Sequence, residues 1–100
     1  MLVTIDVTAE DIAKGLPDSA CECPIAFAVQ RCVPHASEVA VTNFNIRARL
    51  NPFALLQRMV LPAPAQAFIR QFDRREQVKP FSFAINIPGP TIAINLSEAK

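Results

Sequence analysis

The sequence predicts an α+β fold, with a mainly antiparallel sheet and two or three helices on one face. Three observations predict it: apolar side chains alternate near both ends of the chain, two stretches have helical apolar spacing, and hydrophobic residues make up 51% of 100 residues. A chain of this size holds one hydrophobic core but not two. We therefore expect residues 1–100 to form a single domain with the element order β-α-α-β-β-β-α-β-β.

The N-terminal elements are predicted from alternation and from capping residues. Residues 2–7 alternate apolar and polar side chains, which is typical of a half-buried strand. Thr8 and Asp11 have the spacing of a capping box, with Asp in place of the usual Glu, and they predict a short helix. Gly15 is expected to end that helix as its C′ residue.

A second helix is predicted to begin at Pro24, because proline needs no hydrogen-bond acceptor at the first helical position. Cys23 would then be its N-cap, and Pro34 would stop it. Four residues fall at i, i+3, i+4 and i+7 and predict one buried stripe. They are Ile25, Ala28, Val29 and Cys32.

The middle of the chain predicts three strands, at residues 38–42, 44–50 and 54–61. The third is ambiguous by period, and Asn51-Pro52 favours a hairpin that makes it a strand. In the second strand, alternation predicts that Arg47 and Arg49 face outward. The residues expected to face inward are Phe44, Ile46, Ala48 and Leu50.

The clearest predicted helix spans residues 64–73, and a charged connector separates it from a strand that begins at Phe81. A further strand at 91–96 would pair back after a turn at 88–90, so residues 81–100 form a C-terminal hairpin extension. We expect apolar side chains of the helix to pack on the strand. The predicted contacts join Phe68, Ile69 and Phe72 to Phe81, Phe83 and Ile85.

Three short motifs occur in a fixed order along the chain. They are D-I-x-x-G at residues 11–15, C-x-C-P-I-A-x-A at 21–28, and F-I-x-x-F-D-x-x-x-x-V-x-P-F-S-F at 68–83. Together they resemble a family of short uncharacterised proteins encoded by bacteriophages, prophages and their hosts, over roughly residues 2–84. That family has no established activity, so the resemblance implies a phage or mobile-element context only.

The composition favours the host-cell cytoplasm as the compartment. The first six residues lack the basic head and apolar run of a signal peptide, and no apolar run approaches the length of a bilayer span. Three cysteines is an odd number, which suits a reducing compartment better than a disulfide scaffold.

The cysteines raise two chemical alternatives, a zinc site and a redox pair. Cys21, Cys23, Cys32 and His35 form the pattern C-x-C-x8-C-x2-H, whose ligands are those that zinc prefers. The objection is geometric, because Cys32 lies on the apolar stripe and the four side chains would have to converge across a three-turn helix. A Cys21–Cys23 redox pair would have no evident substrate. We therefore predict structural cysteines, no metal and no cofactor.

No catalytic constellation is evident in the sequence. His35 is the single histidine, and Glu38 is its nearest carboxylate in sequence, but no triad, phosphate-binding glycine loop or metal motif accompanies them. We therefore predict that the protein is not an enzyme.

The charges are unevenly divided along the chain. Residues 1–46 contain six acids and two bases, a net charge of −4, and residues 47–100 contain eight bases and three acids, a net charge of +5. A basic face is therefore expected to bind a partner. The candidate contacts are Arg47, Arg49 and Arg58, which could project from one face of paired strands, and Arg70, Arg74 and Arg75, which cluster at the end of the last helix.

Several partners remain open at this point. The arginines could contact an acidic host protein or complex, or nucleic acid, although the absence of Trp and Tyr disfavours base stacking. Alternatively, the acidic segment from Asp6 to Glu22 could mimic phosphates in a nucleic-acid-binding groove. The uncharged strand 91–96 could pair with a second copy or with a target strand. No membrane partner is expected.

These observations lead to a functional hypothesis in the phage context. The protein is expected to be an accessory protein that binds and inhibits a host macromolecule, such as a component of a CRISPR-type defence system. The alternatives are a nucleic-acid-binding accessory protein that uses the same arginines and a virion or assembly component.

Overall fold

The structure is a computed structural model, and it describes residues 2–50 and 55–87. Within these residues the element order is β-α-α-β-β-β-α-β, which confirms the predicted α+β class. The predicted turn at Asn51-Pro52 and the predicted last strand, 91–96, lie outside the described residues. The elements are β1 (Leu2–Val7), α1 (Ala9–Lys14), α2 (Pro24–Cys32), β2 (Ser37–Val41), β3 (Asn45–Arg49), β4 (Leu56–Val60), α3 (Ala63–Asp73) and β5 (Phe81–Asn86).

The described strands form two antiparallel sheets. One contains β2, β3 and β4 in chain order, and the other pairs β1 with β5. In the two-stranded sheet Ile5 lies opposite Phe83 on the core face, and Asp6 lies opposite Ser82 on the outer face. The Ser82 hydroxyl donates a hydrogen bond to Asp6 Oδ1 at 2.5 Å. This long-range pairing of the first strand with β5 was not anticipated from the sequence.

Helix α2 lies at the centre of the molecule, against β1, β2 and α1. Its predicted stripe is confirmed, because Ile25, Ala28 and Val29 are fully buried and Cys32 is half-buried against the core. Pro24 occupies the first helical turn, and the thiol of Cys23 accepts the N-cap hydrogen bond. The local signals at the start of this helix were therefore interpreted correctly.

Helix α3 buries the aromatic side chains that its spacing predicted. Phe68, Ile69 and Phe72 are buried. The ring of Phe68 stacks on that of Phe81 with centroids 4.8 Å apart, and Phe81 stacks on Phe83 at 5.5 Å. The predicted contact between this helix and the strand that follows it is confirmed at these rings.

The physical reason for a glycine at the end of α1 differs from the predicted one. Gly15 does end α1, and its N–H donates to the Asp11 and Ile12 carbonyls, but its φ of −68° is open to any residue. A Cβ at this position would lie 2.5 Å from Cδ of Pro24. Glycine is needed because the end of α1 approaches the proline ring, and not because of a left-handed backbone.

The inward orientation expected for Phe44 was also wrong. Ile46 and Ala48 are fully buried and Leu50 is half-buried against the core, but Phe44 is 62% exposed. Phe44 precedes β3 in the turn after β2, at the end of the sheet and outside the buried apolar cluster of the described residues. Alternation predicts which side of a strand a residue occupies, and it does not predict where the covering layer ends.

Helices in the described ranges, 2–50 and 55–87, lack the length and apolar content needed to cross a membrane.

Candidate binding surface

The β3–β4 hairpin positions two arginines directly opposite each other. In its antiparallel register Arg47 pairs with Arg58, and Ile46 pairs with Met59. Ile46 and Met59 are buried on the core side, so alternation places both arginines on the outer face, where they are exposed. Burial of the hydrophobic positions therefore fixes the orientation of the charged ones.

The Arg47–Arg58 pair is electrostatically unfavourable in isolation. Side chains directly opposite in an antiparallel pair have Cβ atoms about 4.5–5.5 Å apart, and like charges at such positions destabilise the sheet. Neither guanidinium forms an ion pair or a hydrogen bond with the described part of the chain. An anion placed between them would relieve this repulsion.

Arg49 lies on the same outer face but has an intramolecular partner. Its Nε donates to Oε2 of Glu38 at 2.5 Å. Glu38 reaches this position from an irregular section of β2, between Ser37 and Ala40, with a positive φ of 52°. The hydrogen bond from Arg49 and its positive charge lower the pKa of Glu38, and the same hydrogen bond raises the pKa of Arg49.

Aliphatic side chains lie beside these arginines. Leu56, which is opposite Arg49, is 43% exposed, and Val60, which is opposite Asn45, is 75% exposed. We call this outer surface of the β3–β4 hairpin the arginine face. Sequence reasoning missed its aliphatic part because the period of residues 54–61 was ambiguous. The face consists of Arg47, Arg49, Leu56, Arg58 and Val60.

The other three predicted contact residues lie elsewhere. Arg70 is exposed on α3, Arg74 is the C-cap of that helix, and Arg75 follows with a positive φ of 64°. Arg74 Nη1 lies 3.8 Å from Oε2 of Glu76, a distance too long for a hydrogen bond. The six predicted contact residues thus lie in the two groups that the sequence suggested, one on the β3–β4 hairpin and one towards the end of α3.

The cysteines and the histidine differ widely in environment. Cys21 is exposed and Cys23 is buried, with its Sγ 3.4 Å from the amide nitrogen of Ala26. Burial is the main cause that raises the pKa of the Cys23 thiol. His35 is exposed with a φ of 70°. No group of three or more His, Cys, Asp or Glu side chains suited to a metal ion occurs among residues 2–50 and 55–87.

Two acidic side chains of the N-terminal half accept hydrogen bonds from other residues of the fold. Asp6 accepts the hydrogen bond from Ser82, and Asp11 accepts one from Arg31. Asp11 is also 3% exposed. These two carboxylates are therefore occupied within the fold, which weakens the phosphate-mimic alternative for the segment from Asp6 to Glu22.

No protein family, curated protein or solved structure matches this chain. The resemblance to phage-encoded proteins therefore stays a prediction.

Proposed function

We propose that this protein acts by binding an acidic surface of another protein through the arginine face. The observation that supports the proposal best is the opposed pair Arg47–Arg58, which has no anionic partner in the described chain. Two like charges held opposite each other on a sheet cost stability. A partner carboxylate that bridges both guanidiniums would offset that cost and add charge-assisted hydrogen bonds.

The aliphatic residues of the arginine face favour a protein partner. Leu56 and Val60 are exposed beside the arginines. Protein interfaces combine apolar contact with a few arginines that find carboxylates, whereas a phosphate backbone offers little apolar surface. The charges would speed and orient the encounter, and the aliphatic side chains would contribute apolar contact in the complex.

A nucleic-acid partner is the second candidate, and exposed Phe44 is the observation that favours it. Its ring is 62% exposed and it precedes β3, the strand that carries Arg47. Single-stranded nucleic acids bind where an aromatic ring stacks on a base and nearby cations contact phosphates. Phe44 is the one described aromatic side chain that is largely exposed, so the platform would be small.

The inhibition of a host macromolecule remains a prediction within this proposal. Binding through a charged sheet face is compatible with a phage-encoded inhibitor of a CRISPR-type complex and also with a virion or assembly component. The choice between these roles depends on which partner is bound. The arginine face is the surface on which we expect that partner to bind.

The proposal can be tested by comparing two charge-matched probes. Fluorescence anisotropy would measure binding of a peptide of alternating Glu and Leu and of a single-stranded oligonucleotide with the same number of negative charges. We expect the peptide to bind more tightly. Arg47→Ser with Arg58→Ser should weaken peptide binding about five- to tenfold, since exposed ion pairs contribute up to about 1 kcal/mol each.

The matched control is Arg70→Ser with Arg74→Ser, which removes the same charge from α3. Equal losses in the two double variants would indicate a general charge effect and would contradict the arginine face. Tighter oligonucleotide binding that falls steeply with salt and is lost on Phe44→Ala would favour the nucleic-acid candidate.

A further inference from the structure

An open cavity of about 310 Å³ lies away from the arginine face. It is lined by the loop that precedes α2, by the end of β2 and the turn after it, and by α3. This volume lies at the lower end of the range of about 300–1,000 Å³ that is typical of small-molecule sites. It can accommodate a short carbon chain with one polar group.

The walls of the cavity have an apolar and an acidic part. Val41 and Ile69 are buried and form its apolar part. Asp18 and Asp73 add two carboxylates, and Oδ1 of Asp73 accepts a hydrogen bond from the amide of Asp18 at 2.9 Å. No Lys, Arg or His lines the cavity, and neither carboxylate forms an ion pair with the described residues.

The buried thiol of Cys23 also lines this cavity. Cys23 is 2% exposed, and its sulfur accepts a hydrogen bond from the Ala26 amide, while its S–H proton has no acceptor in the described chain. Burial is the main cause of its raised pKa, and the negative charge of Asp73 raises that pKa further.

We propose that this cavity binds a primary alkylammonium group, either of a free amine or of a lysine side chain. Its hydrocarbon chain would contact Val41 and Ile69, and its ammonium would lie between the carboxylates of Asp18 and Asp73. An ammonium group donates three hydrogen bonds, which suits two carboxylates with unused acceptor positions. An anion of the same size would be repelled, and a neutral alcohol would leave both charges unpaired.

The proposal is tested by titrating isotopically labelled protein with n-butylammonium, n-butanol and butyrate and following backbone amide shifts by NMR. Saturable shifts at Ala20, Cys23 and Asn43 are expected with n-butylammonium at millimolar concentrations. Asp18→Asn with Asp73→Asn should weaken this binding about fivefold or more, since it removes both charges. Both substitutions keep the local backbone contacts, because Asn tolerates the positive φ of Asp18 and retains the Oδ1 acceptor at position 73.

The control variant Glu10→Gln with Glu76→Gln removes the same charge outside the cavity and should bind n-butylammonium like the natural protein. Equal shifts with n-butanol, an equal loss in the control variant, or the absence of saturable shifts would each overturn the proposal. The ligand comparison uses the natural protein, so it remains decisive if the Asn variant fails to fold. A blocked tripeptide with a central lysine separates the two sources: tighter binding than n-butylammonium indicates a lysine side chain, and weaker binding indicates a free amine.

Discussion

Arginines in two regions of this molecule differ in the acceptors that surround them. Arg31 on α2 donates hydrogen bonds to the carboxylate of Asp11 and, at 2.8 Å, to the carbonyl of Asp6, so it joins α2 to α1 and to β1. Arg47 and Arg58 face each other on the outer sheet surface and have no such acceptors in the described chain. Because the Arg31 side chain is itself 47% exposed, the acceptors around these arginines, and not their exposure, separate the structural one from the pair that we propose as a binding site.

The environment of Asp11 explains why Arg31 is needed. The Asp11 side chain is 4% exposed, and a carboxylate removed from water must be paired and hydrogen-bonded. Asp11 accepts from Arg31 and from the backbone amide of Thr8 at 2.9 Å, which completes the capping box. One carboxylate thus starts α1 and fixes the position of α2 relative to it.

The largest expected effect tests the structural role of Arg31. Arg31→Met keeps the aliphatic stem and leaves the buried Asp11 carboxylate without its cation. Removing one partner of a buried pair costs about 3–5 kcal/mol, and because the Arg31 side chain is 47% exposed we expect about 3 kcal/mol. Urea denaturation would measure the free energy of unfolding. Arg70→Met is the matched control on an exposed helical position, and equal losses in both variants would remove the distinction between the two regions.

The next effect tests the close approach of α1 and α2 at Gly15. Gly15→Ala places a Cβ 2.5 Å from Cδ and 2.6 Å from Cγ of buried Pro24. Such overpacking is expected to cost about 1–3 kcal/mol in the free energy of unfolding. In a Pro24→Ala background, which lacks those ring atoms, the same substitution should cost less. A double-mutant cycle measures the difference, and simple additivity would contradict the proposed clash.

Local sequence signals predicted most of the fold. The alternation in β3 and β5, the apolar stripes of α2 and α3, and the Thr8–Asp11 capping box were all interpreted correctly. Each of these signals depends on neighbours within a few residues, where the periods of helix and strand apply directly. Elements of this kind can be predicted without knowing the tertiary contacts.

The contacts that the sequence did not reveal join residues far apart in the chain. Arg31 and Asp11 are 20 residues apart, and Asp18 and Asp73 are 55 residues apart. No local period relates such pairs. The grouping of Arg47 with Arg58 could be anticipated because a hairpin brings neighbouring strands together. The placement of Arg70 with Arg74 could also be anticipated, because residues four apart lie on the same side of a helix.

A smaller effect distinguishes the binding role from the structural one by its sign. Arg47→Glu replaces the opposed like charges with an opposite-charge pair across β3 and β4. The free energy of unfolding should rise by about 0.5 kcal/mol, and binding of the acidic peptide should weaken. Thermal denaturation and anisotropy measure the two quantities. A variant that is both less stable and unchanged in binding would assign Arg47 to the structural group.

The smallest expected effect concerns Arg49. This residue lies on the arginine face, like Arg47 and Arg58, but it also donates a hydrogen bond to a carboxylate of the chain, Glu38, as Arg31 does to Asp11. The pKa of Glu38 is lowered below its ordinary value of 4.5 by the hydrogen bond from Arg49 and by its charge. The stabilisation that the Glu38–Arg49 ion pair contributes is therefore fully present above about pH 4.5, and it is lost as the pH falls through the lowered pKa of Glu38. Glu38→Gln should lower the Tm slightly at neutral pH and leave it unchanged at strongly acidic pH, where both forms are uncharged. A Tm difference that stays constant across this range would show that the ion pair between Arg49 and Glu38 does not contribute to stability.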